Sequence, residues 1–435
     1  MKVFKFGGAS LKDAAGVKNV ASILQRFKNE QLVVIVSAMG KTTNALEEVI
    51  NAHAKQTGKA QELYDALKEK HYAMMRELFD AGDEVFAAVN DVFVEGDWVL
   101  EEKPADNYDY MYDQIVCVGE LVSSKITAAY LNKIGLKTHW LDARDVVATD
   151  NTWREGWVIW DKTKANAQKI VPPLLAQGGF VLTQGFIGST SENFTTTLGR
   201  EGSDYSAAIF SFCLDAESMS IWKDVPGVLN ADPRIFDNVI KLDRLSYKEA
   251  IEMTYYGAQV IHPKTIKPLQ NKNIPLFVKS FLDPEAPGTE ISSDTEDTYP
   301  PIVVVEKNQA LLHISTNDYS FVAEHHMARL FKKAADLRIF VNMMQNTAIS
   351  FTICVSNVPD RVEQFIREIS DEFKVKKEDG LELITIRHYT QETIDNLKKG
   401  KIVLFEERIR NTMQMVVKNV PTIERKEVEV AGSKA

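Results

Sequence analysis

Short runs of consecutive apolar residues alternate with helix-like apolar spacings from the N-terminus to about residue 280. Each run has the length and composition typical of a strand buried on both faces of a parallel sheet. The runs lie at residues 3–6, 32–38, 138–141, 179–184, 219–222 and 274–279. Between the first two runs, Val17, Ile23, Leu24 and Phe27 follow a helical spacing, which completes a strand–helix–strand unit. The pattern therefore predicts an α/β fold, with a mainly parallel sheet sandwiched by helices.

Helical periodicity continues through residues 44–133 without strand signals, which predicts a helical insertion packed on the sheet. Residues 283–301 are dense in Pro, Gly, Ser, Thr, Asp and Glu and predict a linker. Beyond the linker the pattern predicts elements in the order β-α-β-β-α, and most of that order is then repeated. The expected domains are a catalytic domain at 1–290, two α+β modules at 302–378 and 379–420, the second shortened, and a disordered tail at 421–435.

The composition is that of a soluble globular protein with two or three domains, because 435 residues exceed the length of one ordinary core. A net charge of −10 without a dense basic block argues against a nucleic-acid partner. No apolar run approaches the roughly 20 residues of a membrane span, so no membrane partner is expected. Cys117, Cys213 and Cys354 are widely separated in apolar surroundings, which argues against disulfides and zinc. We therefore expect a cytoplasmic protein.

A glycine-containing loop leads directly into an apolar helix at residues 198–208. Gly199 and Gly202 can adopt backbone conformations that are closed to other residues, and Ser203 is expected to cap the helix. A helix N-terminus with Arg200 beside it is suited to binding an anion. The alternative interpretation is an ordinary capped helix without a ligand.

Polar or glycine loops follow the predicted strands, at the edge where open α/β sheets bind ligands. Together with one carboxylate inside an apolar helix, these loops carry several cations and a few acids. The residues are Lys5, Glu120, Arg200, Asp204, Lys223, Asp224 and Arg234. Such a set is suited to phosphoryl transfer, in which positioning and charge stabilisation supply most of the catalysis. The sequence shows no catalytic-triad pattern, no dinucleotide fingerprint and no complete Walker A loop.

Seven motifs then occur in register along about 290 residues. They lie at residues 5–10, 37–44, 119–120, 185–188, 199–204, 222–234 and 262–263. Together they resemble the aspartate kinases of the amino acid kinase family. The resemblance implies a kinase domain on a mainly parallel sheet, followed by two ACT modules with a ferredoxin-like α+β fold. It also implies transfer of the ATP γ-phosphoryl group to the β-carboxylate of L-aspartate, which begins the synthesis of lysine, threonine and methionine.

The resemblance also implies roles for individual residues. Lys5 stabilises the transferring γ-phosphoryl group, with the Gly7 and Gly8 amides beside it, and Asp204 organises this lysine. The substrate positions are Thr43, Glu120, Arg200 and Ser203, and among these Arg200 is the expected partner of the α-carboxylate. The nucleotide positions are Lys5, Gly7, Gly8, Lys223, Asp224, Leu229, Arg234 and Gln259. Mg²⁺ is expected to accompany ATP, bound mainly by phosphate oxygens and water.

Other interpretations of the same residues remain open. Lys5 could be a solvated lysine at a strand end, and Glu120 could belong to a structural ion pair. The chain could also be a kinase for glutamate or a related carboxylate, or an inactive amino-acid sensor. The ACT-like modules and the Arg200 loop favour aspartate, and the retention of Lys5, Asp204 and Asp224 favours an active enzyme.

The sequence departs from the family pattern at several positions. Ala9 replaces a usual hydroxyl residue, Glu201 a glycine, Leu229 a frequent tyrosine and Gln259 a lysine that faces the nucleotide. The turn at residues 317–321 lacks a glycine, and the second module ends without its final helix. These last two departures argue against feedback inhibition by lysine or threonine. They favour modules that serve mainly to form a homodimer or a larger homo-oligomer.

Lys264 is the candidate replacement for the lysine that is missing at position 259. We expect Lys264→Ala to raise the KM for ATP about fivefold, because a cation on a phosphate oxygen forms a charge-assisted hydrogen bond. Initial rates at varied ATP would measure the change, with Lys267→Ala as the matched control. A KM for ATP that equals that of the unmodified chain would contradict the replacement.

Overall fold

The computed structural model describes residues 1–258, 261–293, 298–318 and 320–420, and the chain forms two compact units. The first unit combines Met1–Leu229 with Lys241–Asp297. The second combines Asn230–Ile240 with the chain from Thr298. The boundary predicted near residue 290 does not anticipate that the short segment 230–240 belongs with the second unit. Gln259 and the predicted disordered tail at 421–435 lie outside the described residues.

An eight-stranded, mainly parallel sheet forms the centre of the first unit, as the apolar runs predict. Its strands are β1 (Lys2–Phe6), β2 (Leu32–Val36), β3 (Thr138–Leu141), β4 (Phe180–Gln184), β7 (Ser218–Lys223), β8 (Arg244–Ser246), β9 (Leu276–Ser280) and β10 (Thr289–Ser292). Their order is β3-β4-β2-β1-β7-β9-β10-β8, and only the β9–β10 pair is antiparallel. β5 (Ile187–Ser189) and β6 (Thr195–Thr197) form a separate hairpin. The sequence pattern did not predict this hairpin, β8 or β10, because each is only three or four residues long.

Helices cover the sheet and form the predicted insertion. They are α1 (Ala14–Gln25), α2 (Thr42–Ala54), α3 (Ala60–Leu78), α4 (Val85–Glu101), α5 (Tyr108–Lys133), α6 (Trp160–Ala176), α7 (Gly202–Cys213), α8 (Tyr247–Tyr255) and α9 (Pro263–Asn271). In the insertion, α5 contributes a long run of buried residues to the main apolar core, which it shares with β1 and β2. Its central turns are therefore fixed against the sheet.

The position of β1 is the most constrained in the sheet, because it pairs with β2 on one side and β7 on the other. Lys5 lies level with Ile35 and Ile221 of these neighbours. Parallel strands that are buried on both faces leave ligand contacts to their carboxyl ends. Lys5 is the second-last residue of β1, so the sheet fixes the start of its side chain at that edge.

The second unit contains one six-stranded sheet with helices packed on it. Its elements are β11 (Ile302–Thr316), α10 (Glu324–Asp336), β12 (Val341–Asn346), β13 (Ser350–Ser356), α11 (Pro359–Ile369), β14 (Phe373–Arg387), α12 (Gln391–Lys398), β15 (Lys401–Ile409) and β16 (Thr412–Asn419). The sheet order is β12-β13-β11-β14-β16-β15. The predicted order of strands and helices is therefore present.

Two long strands are shared between the predicted modules. The second half of β11, residues 309–315, pairs with β13, whereas its first half, residues 302–306, pairs with the second half of β14. That half of β14 also pairs with β16. Residues 302–306 therefore belong with the second module rather than the first, so the first module is inserted within the second. A register irregularity between Glu306 and Gln309 marks the change within β11.

One predicted local feature is wrong. Ser203 does not cap the helix of the anchor loop, because α7 begins one residue earlier, at Gly202. Glu201 occupies the N-cap position in a left-handed conformation, with φ +54°, and its side chain makes no capping hydrogen bond. The glycine at 202 permits this tight entry, since a Cβ there would lie 2.5 Å from the Phe186 ring.

The three cysteines are free and buried, as expected. None of the helices in the described residues combines the length and apolar character needed to span a bilayer.

Candidate active site

A buried ion pair joins the central strand to the anchor helix. Lys5 Nζ lies 2.6 Å from Asp204 Oδ1, and the side chains are only 11% and 5% exposed. Burial by itself raises the pKa of Asp204, but the charges of Lys5 and Lys223 lower it below the ordinary value overall. Asp204 therefore stays ionised and holds the lysine in place. A solvated Lys5 is excluded by this contact.

The glycines after β1 allow two backbone segments to approach closely. A Cβ on Gly8 would lie 2.7 Å from the carbonyl oxygen of Ala38 and 2.9 Å from that of Gly40. The Gly40 N–H donates to the Gly8 carbonyl at 3.0 Å. A Cβ on Gly7 would lie 3.3 Å from Lys5 Nζ. The turn after β1 therefore packs against the turn after β2 and passes directly beside the lysine.

The anchor loop is tied to the start of another helix. Glu201, which replaces the family glycine, accepts a hydrogen bond from the His262 N–H at 2.9 Å. His262 in turn caps α9, where its ring accepts the Lys264 N–H at 3.2 Å. Arg200 is exposed, and Ser203 is half-buried beside Gly185, where a Cβ would lie 2.5 Å from the Ser203 Cβ. The loop therefore presents the Arg200 guanidinium to solvent while its backbone is fixed.

Glu120 is a buried carboxylate without a complete set of partners. It is 2% exposed on α5, and its Oε2 has no hydrogen-bond partner in the described structure. Burial raises the pKa of Glu120 to about 8, although the backbone N–H of Ala38 acts in the opposite direction. The structural ion pair considered for Glu120 is not found among the described residues. On losing its proton, a carboxyl group in this state is suited to receive a cationic ligand.

The start of α2 packs closely against Gly119, the residue before Glu120. Gly119 has no room for a side chain, because a Cβ would lie 2.9 Å from Thr42 Cγ2 and 3.2 Å from the Ala38 Cβ. Thr42 is held by its hydroxyl, which donates to the Met39 carbonyl at 2.7 Å. Thr43, the predicted substrate residue, follows in the first turn of α2 and is half-buried.

The predicted nucleotide residues are more dispersed. Lys223 ends β7, Asp224 is exposed directly after it, and Leu229 is half-buried in a bridge to Lys241. Arg234 lies in the second unit, where it pairs with Asp232 at 2.7 Å and its side chain is 77% exposed. Gln259 lies outside the described residues. The structure therefore joins Lys5 to Asp204 and brings Lys223 near them, but it does not place Arg234 in the same unit.

Sequence reasoning missed one buried acid. Asp113 is fully buried on α5, where it accepts the Thr197 hydroxyl at 2.6 Å and the Arg154 N–H at 2.9 Å. Burial raises its pKa to about 6 against the effect of these bonds. A signal was present in the sequence, because Asp113 precedes Glu120 by seven residues and so lies on the same face of the helix.

Known proteins match this chain in sequence and in fold over most of its length. A family model described as the amino acid kinase family matches residues 1–280. Lysine-sensitive aspartokinase 3 of Escherichia coli is 31% identical over 396 residues, which covers 88% of this chain and 86% of the relative. The structure of E. coli aspartokinase III with aspartate and ADP matches with a TM-score of 0.80 at 26% identity, and the structure with lysine and aspartate with a TM-score of 0.81 at 26% identity. Each covers 96% of both chains.

Glu120 generates a prediction about stability. The folded state keeps a proton on Glu120 up to about pH 8, whereas the unfolded chain loses it near pH 4.5. The contribution of Glu120 to the free energy of unfolding therefore falls as the pH rises through this range. We expect Glu120→Gln to remove this loss. The difference in the free energy of unfolding between the variant and the unmodified chain should therefore shift in favour of the variant by up to about 3 kcal/mol from pH 5.5 to pH 8.

Urea unfolding of both proteins at the two pH values would measure the gain. Glu48→Gln is the matched control, because Glu48 is exposed on α2 and its substitution should change stability equally at both pH values. A Glu120→Gln difference that does not depend on pH would contradict the prediction.

Proposed function

The chain belongs to the amino acid kinase family, and we propose that it is an aspartate kinase, which transfers the γ-phosphoryl group of ATP to the β-carboxylate of L-aspartate. The observation that carries the proposal is the buried Lys5–Asp204 pair at the carboxyl end of the central strand. It stands in a chain whose E. coli relative of similar length is an aspartokinase. The product is 4-phospho-L-aspartate, which enters the synthesis of lysine, threonine and methionine.

The reaction requires little from the protein beyond position and charge. One oxygen of the β-carboxylate attacks the γ-phosphorus, and the bond from that phosphorus to the β–γ bridging oxygen breaks to release ADP. The attacking carboxylate is already an anion, so no general base is needed. We propose that Lys5 balances the charge on the transferring group, with the Gly7 and Gly8 amides beside it. Asp204 keeps the ammonium group at this position.

The substrate residues divide by charge. We propose that Glu120 releases its proton and binds the ammonium group of aspartate, because this would supply the missing partner of its buried carboxyl group. Arg200 is exposed at the anchor loop and would bind the α-carboxylate. Thr43 and Ser203 would complete the site with hydroxyl groups. This arrangement leaves the β-carboxylate free to face Lys5.

ATP is the second substrate of the family, and we propose that Lys223, Asp224 and Leu229 line its site, with Gln259 as a further candidate. Mg²⁺ would supply further charge on the phosphates. We propose that phosphate oxygens and water bind it, since Asp204 is already engaged by Lys5. Among the described residues, the only group of three potential metal ligands is His325, His326 and Glu372 in the second unit.

Lysine is the effector that we propose to test first. The E. coli relative is named as lysine-sensitive, and E. coli aspartokinase III has been crystallised with lysine. The turn before α10 lacks a glycine but still closes through side chains: the Ser320 N–H donates to Asp318 at 2.9 Å, and the Thr316 hydroxyl to the Ser320 carbonyl at 2.8 Å. Its missing glycine is therefore a weaker objection to an effector site than the sequence suggests.

Trapping of the acyl phosphate with hydroxylamine tests the proposed reaction. We expect ATP-dependent hydroxamate from L-aspartate and none from L-glutamate, and added lysine to lower the rate more than threonine does. Hydroxamate from glutamate would favour the related kinase. If neither acid gives hydroxamate, the chain is better described as a sensor.

Substitution of Asp204 tests the role of the ion pair. We expect Asp204→Asn to lower kcat about 100-fold or more, because the lysine loses the charge that holds it in the transition state. Asp215→Asn is the matched control, because Asp215 follows the end of the same helix, is exposed and pairs with Lys272. Circular dichroism would verify folding of both variants, and unchanged turnover in folded Asp204→Asn would contradict the assignment.

A further inference from the structure

The strand before the anchor loop is held by polar contacts rather than by apolar packing. All three residues of β6, Thr195, Thr196 and Thr197, are buried. The backbone of Thr195 exchanges hydrogen bonds with the Gln114 amide group on α5, at 2.8 and 3.2 Å. The hydroxyl of Thr196 lies 2.6 Å from that of Thr149, and that of Thr197 donates to Asp113. Only Leu198 separates this strand from Gly199 and Arg200, so its contacts set where the loop begins.

Asp113 joins this strand to a second segment. Its other carboxylate oxygen accepts the N–H of Arg154, whose φ of +66° lies in the left-handed region that a residue with a side chain rarely adopts. The Arg154 carbonyl oxygen packs closely on Gly199, because a Cβ on this glycine would lie only 3.3 Å from that oxygen. One carboxylate therefore fixes both the strand that enters the anchor loop and the backbone that packs against it.

The Arg154 side chain extends this connection to the start of the insertion. Its guanidinium lies over the Tyr112 ring, 4.1 Å from the centroid, and 3.7 Å from Glu47 on α2. Glu47 is one helical turn after Thr43. The segments that carry Thr43, Glu120 and Arg200 are thus linked through residues that the family resemblance does not assign to the substrate.

We propose, on the basis of the aspartate kinase function proposed above, that Asp113 is a positioning residue for the substrate, which acts by fixing the Thr197 hydroxyl and the Arg154 backbone so that Arg200 meets the α-carboxylate. Asp113 does not contact the substrate in this arrangement. Its carboxylate is suited to the role because both of its oxygens accept hydrogen bonds. An amide in its place would turn its NH₂ group toward either the Thr197 hydroxyl or the Arg154 N–H, and both of these are donors.

The Asp113–Thr197 contact is tested by four variants. We expect Asp113→Asn and Thr197→Val each to raise the KM for aspartate about tenfold, the size of effect when a hydrogen bond to a charged group is lost. The KM for ATP should change less than about twofold, because the nucleotide residues lie on other segments. Thr197→Ser keeps the hydroxyl and should restore the KM for aspartate. The double variant Asp113→Asn with Thr197→Val should be no worse than the more affected single variant, since both remove one interaction.

Thr127→Val is the matched control for the loss of a buried hydroxyl. Thr127 is fully buried on the same helix and donates to the Ser123 carbonyl, so its substitution should lower stability without raising the KM for aspartate. If Asp113→Asn does not fold, the Thr197→Val and Thr197→Ser pair still decides the matter. An unchanged KM for aspartate in Thr197→Val, or an equal rise in Thr127→Val, would overturn the positioning role.

The same experiment separates this inference from the proposed function. Hydroxamate formation by the unmodified chain tests the function, and the ratio of aspartate KM values between variants tests the positioning role. Calorimetric titration with L-aspartate gives the corresponding ratio of Kd values without turnover. A chain that neither forms acyl phosphate nor binds aspartate would overturn both.

Discussion

The buried contact between Lys5 and Asp204 is the interaction on which the rest of the site depends. A buried lysine or carboxylate without its partner is strongly unfavourable, so the two residues must meet wherever the chain folds. Lys5 is fixed by pairing of β1 on both sides, and Asp204 by the first turn of α7. The pair therefore aligns the carboxyl end of the central strand with the N-terminus of a helix. This places a cation and the positive end of a helix dipole at one edge of the sheet, where an anion can bind.

Glycines make that alignment possible by allowing close approach. Gly8 lets the turn after β1 touch the turn after β2, Gly119 lets α5 pack on the start of α2, and Gly202 lets α7 begin against Phe186. At each point a Cβ would lie within 3 Å of a neighbouring atom. The motifs that the sequence shows as short glycine patterns are thus places where two elements of the site touch.

Short sequence patterns predicted much of this arrangement. They failed where a local structure depends on contacts with residues that are far away in the sequence. The central strands and the helical insertion follow from apolar runs and helical spacing, whereas the contact of Lys5 with Asp204 was implied by the family resemblance. The left-handed Glu201 and the hydrogen bond that its side chain accepts from the His262 N–H could not be foreseen, because they join residues that are far apart in the sequence. The sharing of strands between the C-terminal modules was also not predicted. The sequence of β11 is typical of the first strand of a single module, although its two halves pair with different partners. Short strands such as β6 carry too few residues to show a period.

Two buried acidic residues lie on one face of α5, and they differ in whether the folded chain supplies all of their hydrogen-bond partners. This difference distinguishes a residue that positions other segments from one that binds a ligand. Asp113 receives two donors from distant segments, so it is complete within the folded chain and can hold those segments together. Glu120, two turns further along, keeps an oxygen without a partner and has the higher pKa of the two, about 8 compared with about 6. Burial raises both pKa values, and the hydrogen bonds from Thr197 and Arg154 lower the pKa of Asp113 against that effect. The helix thus carries one acid whose hydrogen-bond partners all lie within the folded chain and one whose missing partner a cationic ligand can supply.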